Sequence, residues 1–312
     1  MTEFAFVFPG QGSQSVGMLD AWGDHRAIVQ TLDEASQVLG QDMRALIATG
    51  PKEALDLTTN TQPVMLTAAI ACYRAWLAEG GAEPAVVAGH SLGEYTALVA
   101  AGALTLADAL ALVRFRAQAM QEAIPVGIGA MAAILGLDPA AVRAGCATAM
   151  AASGEVVEAV NFNDPKQTVI AGSKAGVEKG CEVLKAMGAK RALALPVSAP
   201  FHSSLMKPAA ECLRERLESV AFATPRIAVV NNIDVAAPTD AAAIRDALYR
   251  QAFGPVRWVE VIQALRARGL GCVIECGPGK ALAGMIKRID AGVLATTVFD
   301  PTSLHDAKGL LA

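Results

Sequence analysis

Residues 84–102 read Pro84-Ala-Val-Val-Ala-Gly89-His90-Ser91-Leu92-Gly93-Glu94-Tyr-Thr-Ala-Leu-Val-Ala-Ala-Gly102. A short Val-rich run meets Gly-His-Ser-Leu-Gly, and a helical pattern then runs from Glu94 to Gly102. Strand, tight turn and helix with a serine at the apex is the context of a nucleophile elbow. The turn is strained, and side chains at Gly89 or Gly93 would collide with the adjoining strand and helix. Ser91 would stand at the carboxyl end of the strand, with the Leu92 N–H facing any oxyanion formed beside it. An ordinary Gly-Ser turn in an α/β protein is the competing reading.

The rest of the chain fits an α/β protein. At 312 residues it can bury a large core, in one domain or two. It is 53% hydrophobic, mostly Ala, Val and Leu, as expected where helices cover both faces of a parallel sheet. Arg74, His90, Glu94 and Asp108 interrupt the long apolar stretches, so none reaches the ~20 residues of a membrane span. Thr2 and Glu3 lead straight into a strand-like run, so no signal peptide is expected. A net charge of −4 argues against broad nucleic-acid binding. The six cysteines form no framework, which fits a reducing cytoplasm, and Cys272 and Cys276 are poorly spaced for zinc.

Strand and helix alternate from Glu3 to Glu122, with Pro63 expected in the first turn of a long helix. From Gly129 to Leu195 the pattern changes to β-α-β-β-α-β, a ferredoxin-like unit with borders near Val126 and Ser198. Within it, Val156 to Asn161 reads as a strand and Asn163-Asp164-Pro165 as a turn. The βα pattern then resumes, with helices at Glu211 to Ser219, Ala241 to Gln251 and Val256 to Arg268. A strand at Cys272 to Glu275 and a helix from Lys280 to Ile289 follow. The predicted organisation is a discontinuous catalytic domain, residues 1–126 and 199–312, with a subdomain at 127–198.

A serine hydroxyl needs a base. Of the four histidines, His90 should point away from Ser91, His25 opens a polar helix, and His305 lies in a tail with little apolar content. His202 sits where the small unit hands the chain back to the large one, and clefts form at such junctions. It is the favoured base, with a structural hydrogen-bonding role as the alternative. Gly10-Gln11-Gly12 completes neither a dinucleotide fingerprint, since Ser15 replaces the third glycine, nor a P-loop, since Met18 and Leu19 replace its Lys and Ser/Thr. The loop therefore reads as the carboxyl end of the first strand, where Gln11 could lend an N–H to an oxyanion.

Five segments now stand in order: Phe8-Pro-Gly-Gln-Gly-Ser-Gln14, Gly89-His-Ser-Leu-Gly-Glu94, Arg116 with Met120-Gln121, Ala199-Pro-Phe-His202, and Glu275-Cys-Gly-Pro-Gly-Lys280. Together they are similar to the malonyl-CoA:acyl carrier protein transacylases of fatty acid synthesis, over about Phe4 to Ile289. The resemblance implies an α/β-hydrolase-like core, mostly parallel, with an inserted ferredoxin-like domain. It implies Ser91 as nucleophile, His202 as base, and the backbone N–H groups of Gln11 and Leu92 as the oxyanion hole. It also implies Gln251 as the residue whose carbonyl orients the histidine and Arg116 as the holder of the malonyl carboxylate. Asn161 would line the cleft, and Phe201 matches a pattern of malonyl-selective members. Cys276 stands where a small apolar residue is expected.

By the same resemblance, no metal or bound cofactor is needed, since coenzyme A arrives with the substrate. The partners are malonyl-CoA and acyl carrier protein, and the enzyme is a cytoplasmic monomer. Lys190, Arg191, Lys280, Lys287 and Arg288 are candidates for docking the acidic carrier. Unassisted, an arginine such as Arg116 reads as a surface residue of an amphipathic helix. The alternative function is a serine hydrolase or thioesterase, whose base would come late in the chain and nominate His305.

Overall fold

The structure is a computed structural model that describes residues 3–125, 127–197 and 199–311. Thr2 and the expected borders Val126 and Ser198 lie outside the described residues. Nine strands are described: β1 Phe4–Phe8, β2 Val86–Gly89, β3 Gly129–Leu135, β4 Val157–Asp164, β5 Gln167–Ser173, β6 Arg191–Ala194, β7 Ala228–Val230, β8 Cys272–Cys276 and β9 Leu294–Val298.

One sheet has the order β7-β2-β1-β8-β9, and every pairing in it is parallel. β1 shows why it sits at the centre. Phe4, Phe6 and Phe8 share one face and meet Tyr73 and Trp76 of the helix Thr58–Ala78 edge-on, at 5.2–6.3 Å within the cluster. Ala5 and Val7 point the other way, into a cluster with Trp258, Val261 and Ile262 of the helix Trp258–Ala267. A strand apolar on both faces has helices on both. Phe8 pairs with Gly89, and Val7 with Glu275, so the carboxyl ends of β1, β2 and β8 share one edge. The loops carrying Gln11, Ser91 and Gly277 leave from that edge.

The second sheet has the order β4-β5-β3-β6 and is antiparallel throughout. With the helices Pro139–Ser153 and Lys174–Ala186 it is the expected ferredoxin-like arrangement. Asp138 and Ser173 cap these helices by accepting the N–H of Ala141 and Gly176. Alternation splits the sheet: Ala132, Ile134 and Ile170 face the helices, while Met131, Val169 and Ala171 join the main core.

Several expectations need correction. Pro63 lies inside the helix Thr58–Ala78 rather than in its first turn. The helix starts early because the Asn60 and Thr61 side chains tie its first turn to the carbonyls of Ala54, Leu55 and Leu57. β4 continues to Asp164, and Pro165-Lys166 makes the turn. The extra residues are held by Asn163 on His90 and Asp164 on Arg288. The helix expected from Glu211 starts at Lys207, with Pro208 in its first turn. His305 lies on a helix, Pro301–Leu311, that buries Leu304, Ala307 and Leu311. No helix among the described residues is long and apolar enough to cross a membrane.

Candidate active site

β2 ends at Gly89, and the helix Gly93–Ala100 begins almost at once. A Cβ on Gly89 would lie 1.9 Å from the Gly93 backbone, and one on Gly93 would lie 2.1 Å from the Phe8 carbonyl oxygen. Only glycine permits this approach. Ser91 at the apex has φ 52°, and its partner His202 has φ 66°. Both are strained for non-glycine residues, and such strain clusters at functional sites.

The pair is close. Ser91 Oγ lies 2.6 Å from His202 Nε2, and His202 Nδ1 lies 2.9 Å from the Gln251 carbonyl. A carbonyl only accepts, so Nδ1 carries the proton and Nε2 offers its lone pair to the serine hydroxyl. His202 is 4% exposed, and burial, then the Arg116 charge, pushes its pKa down to about 3. The imidazole is therefore a neutral base at pH 7.

Arg116 reaches the same point from the helix Leu106–Glu122. It is 2% exposed, not the surface residue its helix suggests. Nη1 donates to Gln62 Oε1 at 2.8 Å, and Nη2 to Gln251 Oε1 at 3.3 Å and Ser91 Oγ at 3.5 Å. Nε has no partner, and no carboxylate among the described residues forms an ion pair with this guanidinium. A buried cation without a counter-ion is costly, and a ligand carboxylate would relieve that cost.

Gln11, Ser91, Arg116, Asn161, Phe201 and His202 line one cavity of about 140 Å³. Leu92 and Gln251 are buried directly behind it. The backbone N–H groups of Gln11 and Leu92 have no acceptor among the described residues. Asn161 Oδ1 is buried without a partner. A groove of about 800 Å³ shares Gln11, Leu195 and Val197 with this cavity and leads outward past Leu57 and Thr59.

The other histidines are accounted for. His90 borders the cavity, and its side chain is engaged elsewhere, with Nε2 held by Asn163 Oδ1 at 2.8 Å and the ring against Trp258. His25 Nδ1 caps the helix Arg26–Leu39 by accepting the Ala27 N–H. His305 is exposed. Cys272 and Cys276 are buried in β8, and no metal-binding cluster exists among the described residues. All five candidate docking cations are exposed, but Arg288 pairs with Asp164 and Lys280 lies over the Phe299 ring.

Sequence reading missed Gln62, Asn163, Asn232 and Met131. Asn232 Oδ1 accepts the Ser91 N–H at 2.7 Å, and Met131 lines the cavity from β3. Amides carry no periodic signal, and only the fold brings these to Ser91. A signal did exist for Glu94, the sole charge in the apolar helix Gly93–Ala100.

Residues 5–290 match the family model of the acyl transferase domain. The malonyl CoA-acyl carrier protein transacylase of Salmonella typhimurium is 52% identical over 308 residues, 98% of this chain and 99% of that protein. The acyl-carrier-protein S-malonyltransferase of Burkholderia pseudomallei superposes with TM-score 0.97 at 66% identity, covering 99% of this chain and 100% of that one. A malonyl-transacylase solved with a type II PKS acyl carrier protein gives TM-score 0.97 at 47% identity, covering 99% and 100%.

Proposed function

This chain belongs to the acyl transferase family, among its malonyl-CoA–acyl carrier protein transacylases, and on that premise we propose how its residues move a malonyl group from coenzyme A to the carrier's thiol. The observation that carries the reading is one oxygen with two neighbours. Ser91 Oγ has a neutral imidazole nitrogen at 2.6 Å and, at 3.5 Å, a guanidinium with no ion-pair partner among the described residues.

His202 Nε2 takes the Ser91 proton as Oγ attacks the thioester carbonyl. The oxyanion is received by the N–H groups of Gln11 and Leu92, and removing such a donor typically costs ~10²–10³ in rate. His202 returns the proton to the departing coenzyme A sulfur, and the malonyl ester remains on Ser91. The phosphopantetheine thiol then attacks that ester while His202 takes the thiol proton. His202 returns it to Ser91 Oγ as the acyl–Oγ bond breaks and the malonyl thioester leaves. Throughout, the Gln251 carbonyl holds the ring and stabilises the imidazolium, a role a carboxylate fills in other serine enzymes. Arg116 grips the distal malonyl carboxylate with a forked pair of N–H groups. An acetyl group leaves that cation unpaired, a penalty of about 1–3 kcal/mol.

Asn161 and Phe201 wall the acyl pocket, and the outer groove takes the pantetheine arm. The division into residues 1–126 with 199–312 and an insert at 127–198 puts the nucleophile and base on one unit and part of the wall on the other. No bound cofactor enters these steps. We place the reaction in the cytoplasm, on a monomer. The hydrolase reading required His305 as base, and no observation favours it.

The test is intact-protein mass spectrometry after brief mixing with malonyl-CoA or acetyl-CoA. A malonyl adduct on wild type, absent from Ser91→Ala and from the acetyl-CoA sample, is expected. Equal labelling by both thioesters would remove the role of Arg116. Consumption of malonyl-CoA without an adduct would favour hydrolysis.

A further inference from the structure

Glu94, Asn232 and Gln251 lie behind the Ser91 pair, and all three meet at one atom. Glu94 Oε2 accepts the backbone N–H of Asn232 at 2.8 Å and the Nε2–H of Gln251 at 2.9 Å. Each of those residues leads to a different part of the site. Asn232 clips the elbow: Oδ1 accepts the Ser91 N–H at 2.7 Å, and Nδ2 donates to the Gly89 carbonyl at 2.7 Å. Gln251 holds His202 with its backbone carbonyl and Arg116 with its side-chain Oε1. Its Nε2 also donates to the Ser91 carbonyl at 3.1 Å.

We propose that Glu94 is a positioning residue for acyl transfer, fixing nucleophile, base and carboxylate-holding arginine relative to one another through Asn232 and Gln251. The inference rests on the acyl-transfer reading above. Glu94 touches no reacting atom, so the hydrogen bonds of its side chain act through these two residues.

The local chemistry explains why a carboxyl group is used. Asn232 and Gln251 come from separate parts of the chain, and both present N–H donors to a buried point; Glu94 is 2% exposed and both partners are fully buried. Leaving both donors unmet would cost the desolvation of each. The backbone of Ser91 becomes saturated as a result. Its N–H goes to Asn232, and its carbonyl receives Glu94 N–H and Gln251 Nε2–H. The residue is thereby locked at φ 52°, with only Oγ free to react.

Charge is not what the arrangement uses. Burial holds the Glu94 carboxyl up at about 7, with Arg116 and Asp234 the charges that act on it. Both donors meet the same oxygen, so a proton on Oε1 leaves both bonds intact. A glutamine carbonyl oxygen would accept the same pair.

The experiment follows malonyl-enzyme formation by rapid mixing with malonyl-CoA and intact mass, together with kcat and KM. It compares wild type, Glu94→Gln, Glu94→Ala and Gln251→Leu, each checked for folding by circular dichroism. E94Q is expected within about threefold of wild type, and E94A about 10²-fold slower in acylation, as for a site loosened by an ångström. Q251L keeps the carbonyl that holds His202 but frees Arg116, so KM for malonyl-CoA is expected to rise about tenfold with a smaller fall in kcat. E94A at the wild-type rate would overturn the inference. E94Q as slow as E94A would overturn it too, by assigning the effect to charge. Should E94A fail to fold, Q251L decides, and an unchanged KM overturns the proposal. A wild type that forms no adduct is a different failure, of the acyl-transfer reading itself.

Discussion

The parallel sheet and the antiparallel sheet both border the Ser91 cavity, but they hold their sides of it differently. β1, β2 and β8 are buried along their whole length and clamped by helices on both faces. Ser91 and Gln11 leave directly from their ends. The antiparallel sheet has an exposed edge strand, β6, and among the described residues its strands supply Met131 and Asn161 to the cavity. It is tied to the large part by the packing of Met131, Val169 and Ala171 into the main core and by a few bonds. Val256 exchanges backbone hydrogen bonds with Val160 and Phe162, Asn163 holds His90, and Asp164 pairs with Arg288. Proton transfer needs fixed geometry, and the doubly covered sheet provides it. A wall needs only shape, and a sheet with one exposed edge strand is enough.

The contrast breaks most visibly at the elbow. Gly89→Ala drives a Cβ into the Gly93 backbone and is expected to cost about 3 kcal/mol or more, read as a lower urea midpoint or loss of soluble protein. His202→Ala should fold yet lose ~10²–10⁴ in acylation rate, measured by quenched mass spectrometry. Arg116→Ala should reduce the malonyl-over-acetyl preference by about 10–100-fold, seen in kcat/KM for the two thioesters. On the small sheet, Asp164→Asn weakens the tie of a buried carboxylate to an exposed arginine and should cost about 1–3 kcal/mol, leaving acylation unchanged. An acylation defect in that last variant as large as that of Arg116→Ala would show the two sheets to be one rigid unit.

Acid sharpens the same contrast. His202 has a folded pKa of about 3 against an ordinary 6.5, so the native state refuses a proton that the unfolded chain accepts. Its contribution to stability is complete above pH 6.5 and is lost as pH falls towards 3. Acylation at low malonyl-CoA, read as kcat/KM, should therefore stay level from pH 8 to about 5 and fail only with the fold. His202→Gln should flatten the decline in melting temperature over that acid range. A rate that halves near pH 6.5 while the fold stays intact would contradict a desolvated base.

The elements that were legible are those whose own residues state their environment. β1 alternates aromatic and small apolar residues, and the elbow shows its glycines at the two points of close approach. The small unit shows Asp138-Pro139 as a helix start. β9 went unread because Leu-Ala-Thr-Thr-Val is only half apolar, and its place beside β8 depends on a partner strand. Pro63 misled because side-chain bonds from Asn60 and Thr61 outweigh a local proline preference. At the site, Ser91 and His202 followed from the turn and from elimination. Gln62, Asn163 and Asn232 did not, since an amide's role depends on which donor the fold brings opposite it. Arg116 gained its reading only through the resemblance; its helix would have left it on the surface.

The central position of β1 has a consequence for how the chain comes into being. Its two neighbours are residues 86–89 on one side and 272–276 on the other. The first pairing closes early. The second must enclose the inserted sheet and most of the sequence, and such long-range parallel pairing is slow. During vectorial synthesis β1 therefore presents a bare apolar edge, Phe-Ala-Phe-Val-Phe, until β8 emerges. Refolding yield should fall as protein concentration rises, and a holdase that covers this edge should restore it.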